Sequence, residues 1–106
     1  MHAAKWSDSE KRIARRAFEA ALQRELSDIM AEFKRLASAA KEPDDMWSVE
    51  QFLATARREV DSKYDYRYSQ LEYVFGRLLR EGRVAESDLQ GLSEDKLSTI
   101  RRVASL

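Results

Sequence analysis

Residues 22–40 read LQRELSDIMAEFKRLASAA, and this stretch decides the fold. Counted from its first residue, the apolar positions are separated by 4, 3, 4, 3 and 4 residues. This spacing places them along one side of an α-helix, as in helices that pack lengthwise against another helix. The residues of this seam are Leu22, Leu26, Ile29, Phe33, Leu36 and Ala40.

The helix extends beyond the seam in both directions. Before it, Ser7-Asp8-Ser9-Glu10 is a capping box, in which the Ser7 and Glu10 side chains each accept from the other residue's backbone amide. After it, Pro43 prevents a simple continuation of the helix. The sequence therefore predicts a stalk helix over about residues 8–41, on the order of 50 Å long at ~1.5 Å per residue.

The length of this stalk leaves two ways to cover its seam. A compact domain of about 100 residues has a radius of gyration of only ~13 Å, so the stalk overhangs its own domain. Either the following segment folds back as a hairpin and covers the whole seam, or a second copy of the chain covers it. We favour an elongated homodimer. Its predicted contact residues are Leu26, Met30 and Phe33, with Met46 and Trp47 near the turn.

The rest of the chain also predicts helices, so the fold class is all-α in a single domain, residues 1–106. A middle helix is expected over about 45–63 and a small helical head over 64–106. Within the head, one amphipathic helix ends at Gly82, a one- or two-turn helix is capped at Ser87, and a final helix begins at Ser93.

All four tyrosines lie within ten residues, at positions 64, 66, 68 and 73. Residues 64–68 alternate like a short strand, but helices on both sides make a strand the weaker interpretation. On a helix, Tyr64 and Tyr68 would form an i,i+4 pair. A structural role with solvent-exposed hydroxyls is favoured over a recognition platform.

Composition excludes several classes of enzyme. The 106 residues contain no Cys and a single His, His2, expected beside a frayed terminus. Thiolate or histidine catalysis and metal clusters built from these residues are therefore not expected, and no Gly-rich phosphate loop is present. We predict no catalytic residue, no metal and no cofactor.

The apolar runs are too short to cross a membrane, since none exceeds three residues. The beginning of the sequence also lacks the long apolar stretch of a secretory signal. We expect a soluble, cytoplasmic protein without integral membrane association.

A binding surface is the more credible functional feature. On the middle helix, Trp47, Glu50 or Gln51, Ala54 and Arg57 share one face. Trp and Arg are the residue types most often found as interface anchors. The plainer alternative is that Trp47 is a core residue and Arg57 is merely solvated.

Binding of nucleic acid by the head is a weaker alternative. It is suggested by the arginines at positions 77, 80, 83, 101 and 102. However, nineteen basic residues balance nineteen acidic ones, and this net charge of zero does not favour binding to a phosphate backbone. We therefore expect no nucleic-acid partner.

A longer pattern resembles a known family. It consists of Asp44-Asp45-Met46-Trp47, Phe52-Leu53-Ala54, Arg57 and Asp61-Ser62-Lys63-Tyr64-Asp65-Tyr66-Arg67. This pattern is similar to that of the fluorescence recovery protein family. The resemblance implies an all-helical homodimer without enzymatic activity or cofactor. It also implies that the chain binds photoactivated orange carotenoid protein, chiefly at its C-terminal domain, and speeds its return to the resting orange form.

The contact patch implied by the resemblance maps onto Trp47 and Arg57, which match. Two positions depart from the family pattern: Gln51 stands where an acid is expected, and Glu50 stands where a His is expected. This moves the negative charge by ~100° around the helix and changes the electrostatic match to the partner. The resemblance therefore leaves open a divergent homologue with a different protein client and weak or no activity on orange carotenoid protein.

Overall fold

The computed structural model describes residues 5–106; His2 lies outside them. Five helical elements follow one another: α1 (Asp8–Ala39), α2 (Pro43–Lys63), α3 (Leu71–Arg80), a 3₁₀ helix (Glu86–Leu89) and α4 (Glu94–Ala104). The described residues measure 54 × 26 × 25 Å, with a radius of gyration of 16.8 Å. The prediction of an elongated all-α fold is confirmed.

The stalk helix α1 begins at the predicted capping box. The Glu10 amide donates to Ser7 Oγ at 3.1 Å, and the Ser7 amide donates to Glu10 Oε1 at 3.0 Å. These two bonds satisfy amides that have no partner within the helix. At its other end α1 stops at Ala39, two residues before the predicted residue 41.

Helix α2 begins at Pro43, two residues before the predicted start at residue 45. Proline suits the first helical position because its missing amide proton would have no partner there. The Asp45 carboxylate accepts from the amides of Lys41 and Glu42, each at 2.9 Å, and so closes the turn. From this turn α2 runs back antiparallel to α1, until Lys63 contacts Glu25.

The hydrophobic core lies in the head, between the first half of α1 and the helices that follow residue 70. From α1 it takes mainly small side chains and Phe18, and from the head it takes large aliphatic and aromatic ones. The most deeply buried large residues are Phe75, Leu71, Leu78, Leu89 and Ile100. The head is therefore built around the start of the stalk.

Residues 64–70 lie between α2 and α3 and are not helical. The rings of Tyr64 and Tyr66 both meet Phe18 edge-on, with centroids 5.3 and 4.8 Å apart. The non-helical segment thus brings both alternating tyrosines onto Phe18. Tyr64 and Tyr68 consequently do not form the expected helical pair.

The turn after α3 has the predicted glycine cap. Gly82 has φ +75°, which non-glycine residues rarely adopt. The Arg83 amide donates to the Leu78 carbonyl at 2.8 Å, and the Gly82 amide donates to the Leu79 carbonyl at 3.1 Å. This is a Schellman motif, and it ends the helix sharply.

The short helix that follows is a single 3₁₀ turn, and its cap differs from the prediction. Asp88, rather than Ser87, supplies the capping side chain, accepting from the Ala85 amide at 2.8 Å. Leu92 lies beyond the end of this helix. The final helix begins after Ser93, as predicted, and Ser93 Oγ accepts from the Lys96 amide at 3.3 Å.

Candidate partner-binding surface

Trp47 lies one turn into α2 with 62% of its surface exposed. The interpretation of Trp47 as a core residue is therefore wrong for the single chain. An exposed indole presents a large apolar area and a hydrogen-bond donor to any partner.

Arg57 lies on the same outer face of α2, almost three turns further along. Its guanidinium is 3.9 Å from the Asp61 carboxylate, and both side chains are mostly exposed. Such an exposed i,i+4 pair contributes little to stability. Arg57 can therefore exchange this contact for one with a partner at low cost.

Gln51 and Glu50, the two residues expected to depart from the family pattern, are also exposed. Gln51 lies on the rim of a groove of about 550 Å³ between α1 and α2. Glu50 is one residue earlier and points ~100° away around the helix. The residues that line the groove are Glu25, Ile29, Ser48, Gln51, Phe52, Thr55, Ala56 and Glu59.

The predicted dimer contacts lie in the half of the molecule that has no core of its own. We call residues 26–62 the distal hairpin; none of its side chains is buried. Met30 is 54% exposed, Leu26 and Met46 are exposed to a similar degree, and Phe33 is half-buried. The hairpin alternative is thus realised in part, because α2 folds back along α1 but does not cover the whole seam.

A buried group of charges lies where the distal hairpin meets the head. Lys63, with 4% of its side chain exposed, donates to Glu25 Oε2 at 2.6 Å and to Glu81 Oε1 at 2.8 Å. The Tyr64 hydroxyl donates to Glu25 Oε1 at 2.8 Å. Burial and the Glu25 carboxylate both raise the pKa of Tyr64. We name this group the Lys63 cluster; its members are Glu25, Lys63, Tyr64, Arg77, Glu81 and Arg83.

Sequence reasoning did not identify the Lys63 cluster. The available signal was Glu25, which stands four residues after Ala21 and seven after Phe18, on the buried face of α1. A carboxylate at such a position requires a partner, because an unpaired buried charge is costly. The sequence alone could not show that the partner would come from the end of α2.

The chain is similar to proteins of one known family. The sequence model of the family described as photoprotection regulator fluorescence recovery protein matches residues 6–104. The chain belongs to the fluorescence recovery protein family. A curated relative, the fluorescence recovery protein of Synechocystis sp., is 41% identical over 103 residues, which cover 97% of this chain and 94% of the relative.

Solved structures of the fluorescence recovery protein family have the same fold. The protein from Fremyella diplosiphon matches with a TM-score of 0.92 at 36% identity. The protein from Synechocystis sp. matches with a TM-score of 0.91 at 40% identity. Both alignments cover 96% of this chain and all of the solved chain. The family is one of photoprotection regulators.

The described residues give little support to other kinds of site. Over residues 5–106 no three side chains of His, Cys, Asp or Glu come together as a group that could hold a metal ion. No helix in the same range is both long and apolar enough to span a membrane.

The head arginines that suggested nucleic-acid binding are largely engaged with carboxylates. Arg77 pairs with Glu81 at 2.9 Å, and Arg101 pairs with Glu86 at 2.8 Å. Arg83 lies 3.5 Å from Glu25 and also contacts Asp28. These ion pairs reduce the positive charge available to a phosphate backbone.

Proposed function

We propose that this chain is a non-enzymatic, cytoplasmic regulator that binds photoactivated orange carotenoid protein and accelerates its return to the resting orange state. Membership of the fluorescence recovery protein family supports this proposal. The observation that supports particular contact residues is the exposed outer face of α2. Trp47 and Arg57 lie on this face and are not part of the protein's own core.

The proposed mechanism is differential affinity. The chain binds the photoactivated client, chiefly at its C-terminal domain, and contacts the states on the way back to the orange form more strongly than the starting state. A regulator can shift populations and rates only by such a difference in binding free energy. Neither catalytic residues nor a cofactor is required.

We also propose that the chain acts as a homodimer. The distal hairpin leaves Leu26, Met30 and Met46 exposed, and it has no buried side chain with which to form a core. A second copy that packs against these residues would remove this apolar surface from water. Phe33 belongs to the same proposed contact, and Trp47 adds to it near the turn.

A different protein client is the second candidate function. Gln51 and Glu50 favour it, because the exposed carboxylate stands one residue away from the position expected in the family. In that case Trp47 and Arg57 still anchor the partner, but the charge complementarity selects another surface.

The test is the dark recovery of orange carotenoid protein, followed by absorbance with and without the chain. Arg57→Ala should weaken client binding by roughly 1–3 kcal/mol and slow recovery, while the dimer stays intact. Arg58→Ala is the matched control, since Arg58 is a neighbouring exposed arginine whose contact is Thr55 at 3.3 Å. Equal effects of the two substitutions, or none from either, would remove Arg57 from the proposed contact.

A further inference from the structure

The Lys63 cluster joins three helices at one ammonium group. Lys63 is the last residue of α2, Glu25 lies on α1, and Glu81 is the residue that follows α3. Two of the three hydrogens on Lys63 Nζ are directed to carboxylates, at 2.6 and 2.8 Å. The position of α2 is therefore tied to the stalk and to the head at the same point.

Both carboxylates of the cluster are held by further groups. Glu25 Oε1 accepts from the Tyr64 hydroxyl and lies 3.5 Å from Arg83 Nε, while Glu81 Oε2 accepts from Arg77 Nε at 2.9 Å. Every carboxylate oxygen in the cluster thus has a donor. Such a network favours one arrangement, because a displacement that separates Lys63 from Glu25 leaves two buried charges without their closest charged partner.

The rest of α2 packs on α1 only through side chains that are half-buried or exposed. Lys63 is the only buried residue of α2, and all other contacts along the helix involve half-buried or exposed side chains. Arg57 precedes Lys63 by six residues, or about 9 Å along the helix axis. A rotation or slide of α2 at Lys63 would therefore carry Arg57 with it.

We propose that Lys63 is a positioning residue for the partner contact: it fixes the rotation and axial position of α2 against α1 and the head, and thereby the direction in which Arg57 points. This inference rests on the proposed function. It assigns a role to a residue that does not itself touch the client.

A second buried lysine in the chain provides a matched control. It shows how much binding is lost when a buried ammonium group is removed for structural reasons alone. Lys96 is a second buried lysine, with 6% of its side chain exposed, and it is paired with Glu10 at 3.3 Å. This pair lies within the head and contacts no residue of α2. Lys63→Met and Lys96→Met therefore each remove one buried ammonium of the same kind, at different places.

The first experiment measures the binding of both variants to photoactivated orange carotenoid protein, below the unfolding temperature of each. Lys63→Met should weaken binding about tenfold, whereas Lys96→Met should leave it within about twofold of wild type at comparable loss of stability. Lys63→Arg, which keeps the charge, should recover part of the affinity. Equal losses in the two methionine variants would overturn the proposal.

The second experiment needs no client, so it separates this inference from the proposed function. Because the chain has no native cysteine, spin labels can be placed at Ala54→Cys on α2 and Ser98→Cys on α4. Samples diluted with unlabelled chain report the distance within one chain. Lys63→Met should broaden or displace the distance distribution, and Lys96→Met should leave it as in wild type.

An unchanged distribution in Lys63→Met would overturn the inference, whether or not the chain binds orange carotenoid protein. Conversely, if Lys63→Met shows a displaced distribution while the wild type does not bind orange carotenoid protein, that pair of results would contradict the proposed function and leave this inference standing. If Lys63→Met does not fold, Glu81→Gln takes its place in both experiments, because it removes one of the two carboxylates that hold Lys63. The expected changes have the same direction and are smaller.

Discussion

At the residue scale, Glu10 is a buried carboxylate that serves the N-termini of two helices. Its Oε1 accepts the Ser7 amide at 3.0 Å, ahead of α1, and its Oε2 accepts the Ser93 amide at 2.8 Å, ahead of α4. Lys96 Nζ lies 3.3 Å from Oε1. Burial alone would raise the pKa of Glu10, but these donors outweigh burial and lower the pKa below its ordinary value.

Glu10→Gln should destabilise the protein by about 1–3 kcal/mol at pH 7, because the amide group cannot accept from all three donors. A depressed folded-state pKa gives stability that is present above the unfolded pKa and is lost as the pH falls through the folded pKa. The difference between wild type and variant should therefore be constant above about pH 5 and shrink below about pH 4. Urea unfolding at several pH values measures it.

Glu94→Gln is the control for the Glu10 experiment, since Glu94 forms only an exposed pair with Arg101 at 3.2 Å. It should change stability by less than about 1 kcal/mol. A Glu10→Gln variant with the same pH dependence as wild type would show that this carboxylate contributes no charge-dependent stability.

Gln51→Asp should strengthen the effect on orange carotenoid protein, because it places a carboxylate where the resemblance to the family implies one. We expect the wild type to accelerate dark recovery only weakly, because its carboxylate is misplaced, and the variant to be several-fold faster. Gln51→Asn is the uncharged control of similar size. A wild type as fast as a typical family member, with no change on substitution, would show that Gln51 is not a functional departure.

Local chemistry could be predicted from the sequence at this scale, and tertiary chemistry could not. The Ser7–Glu10 capping box is visible from two residues three positions apart. The bond from Ser93 to Glu10 joins residues 83 positions apart, so no local pattern contains it. Lys63 and Glu25 were missed for the same reason.

At the scale of elements, α3 and α4 pack closely because Gly76 has no side chain. A Cβ atom on Gly76 would lie 2.5 Å from Val103 Cβ on α4. This is closer than carbon atoms approach without displacement of one helix. The glycine inside α3 is therefore a packing requirement rather than a turn signal.

Gly76→Ala should consequently destabilise the head by about 1–3 kcal/mol, despite the better helix propensity of alanine. The double variant Gly76→Ala/Val103→Ala should recover part of this loss, since it removes the opposing methyl groups. Thermal unfolding followed by circular dichroism gives both values. A single variant at least as stable as wild type would mean that the two helices separate without cost.

The helices themselves could be predicted from periodicity, whereas their joints could not. The seam from Leu22 to Ala40 and the break at Pro43 predicted the ends of α1 and α2 to within two residues. The conformation of the tyrosine segment stayed open, because the helical preference of its neighbours competes with the packing of two rings on Phe18. Phe18 is more than 40 residues away in sequence, so the competition was not visible locally.

At the scale of the whole molecule, the chain divides into a packed head and the distal hairpin without a core. The length of the stalk predicted that its own domain could not cover it, and the exposed Met30 agrees with that reasoning. The sequence could not show how far α2 would cover the seam, because this depends on where α2 is anchored. The anchor is Lys63, at the boundary between the two parts.

Met30→Glu should convert the proposed dimer to monomers at micromolar concentration. In the dimer the carboxylate would be buried without a partner, at a cost of several kcal/mol, whereas in the monomer it remains solvated. Because Met30 is already exposed in the single chain, the variant should still fold. Light scattering measures the mass, with Met30→Leu as the apolar control, and a full dimer in Met30→Glu would remove Met30 from the contact.

The central claim is that the chain recognises the photoactivated state of orange carotenoid protein and lowers the barrier for its return to the resting state. The most direct measurement is equilibrium binding of the chain to the same orange carotenoid protein sample, kept dark or under actinic light, by analytical ultracentrifugation. We predict at least tenfold tighter binding to the illuminated sample, reduced by Arg57→Ala and not by Arg58→Ala. Equal affinity for the two states, or no binding to either, would contradict the account, because the chain would then not recognise the photoactivated state selectively.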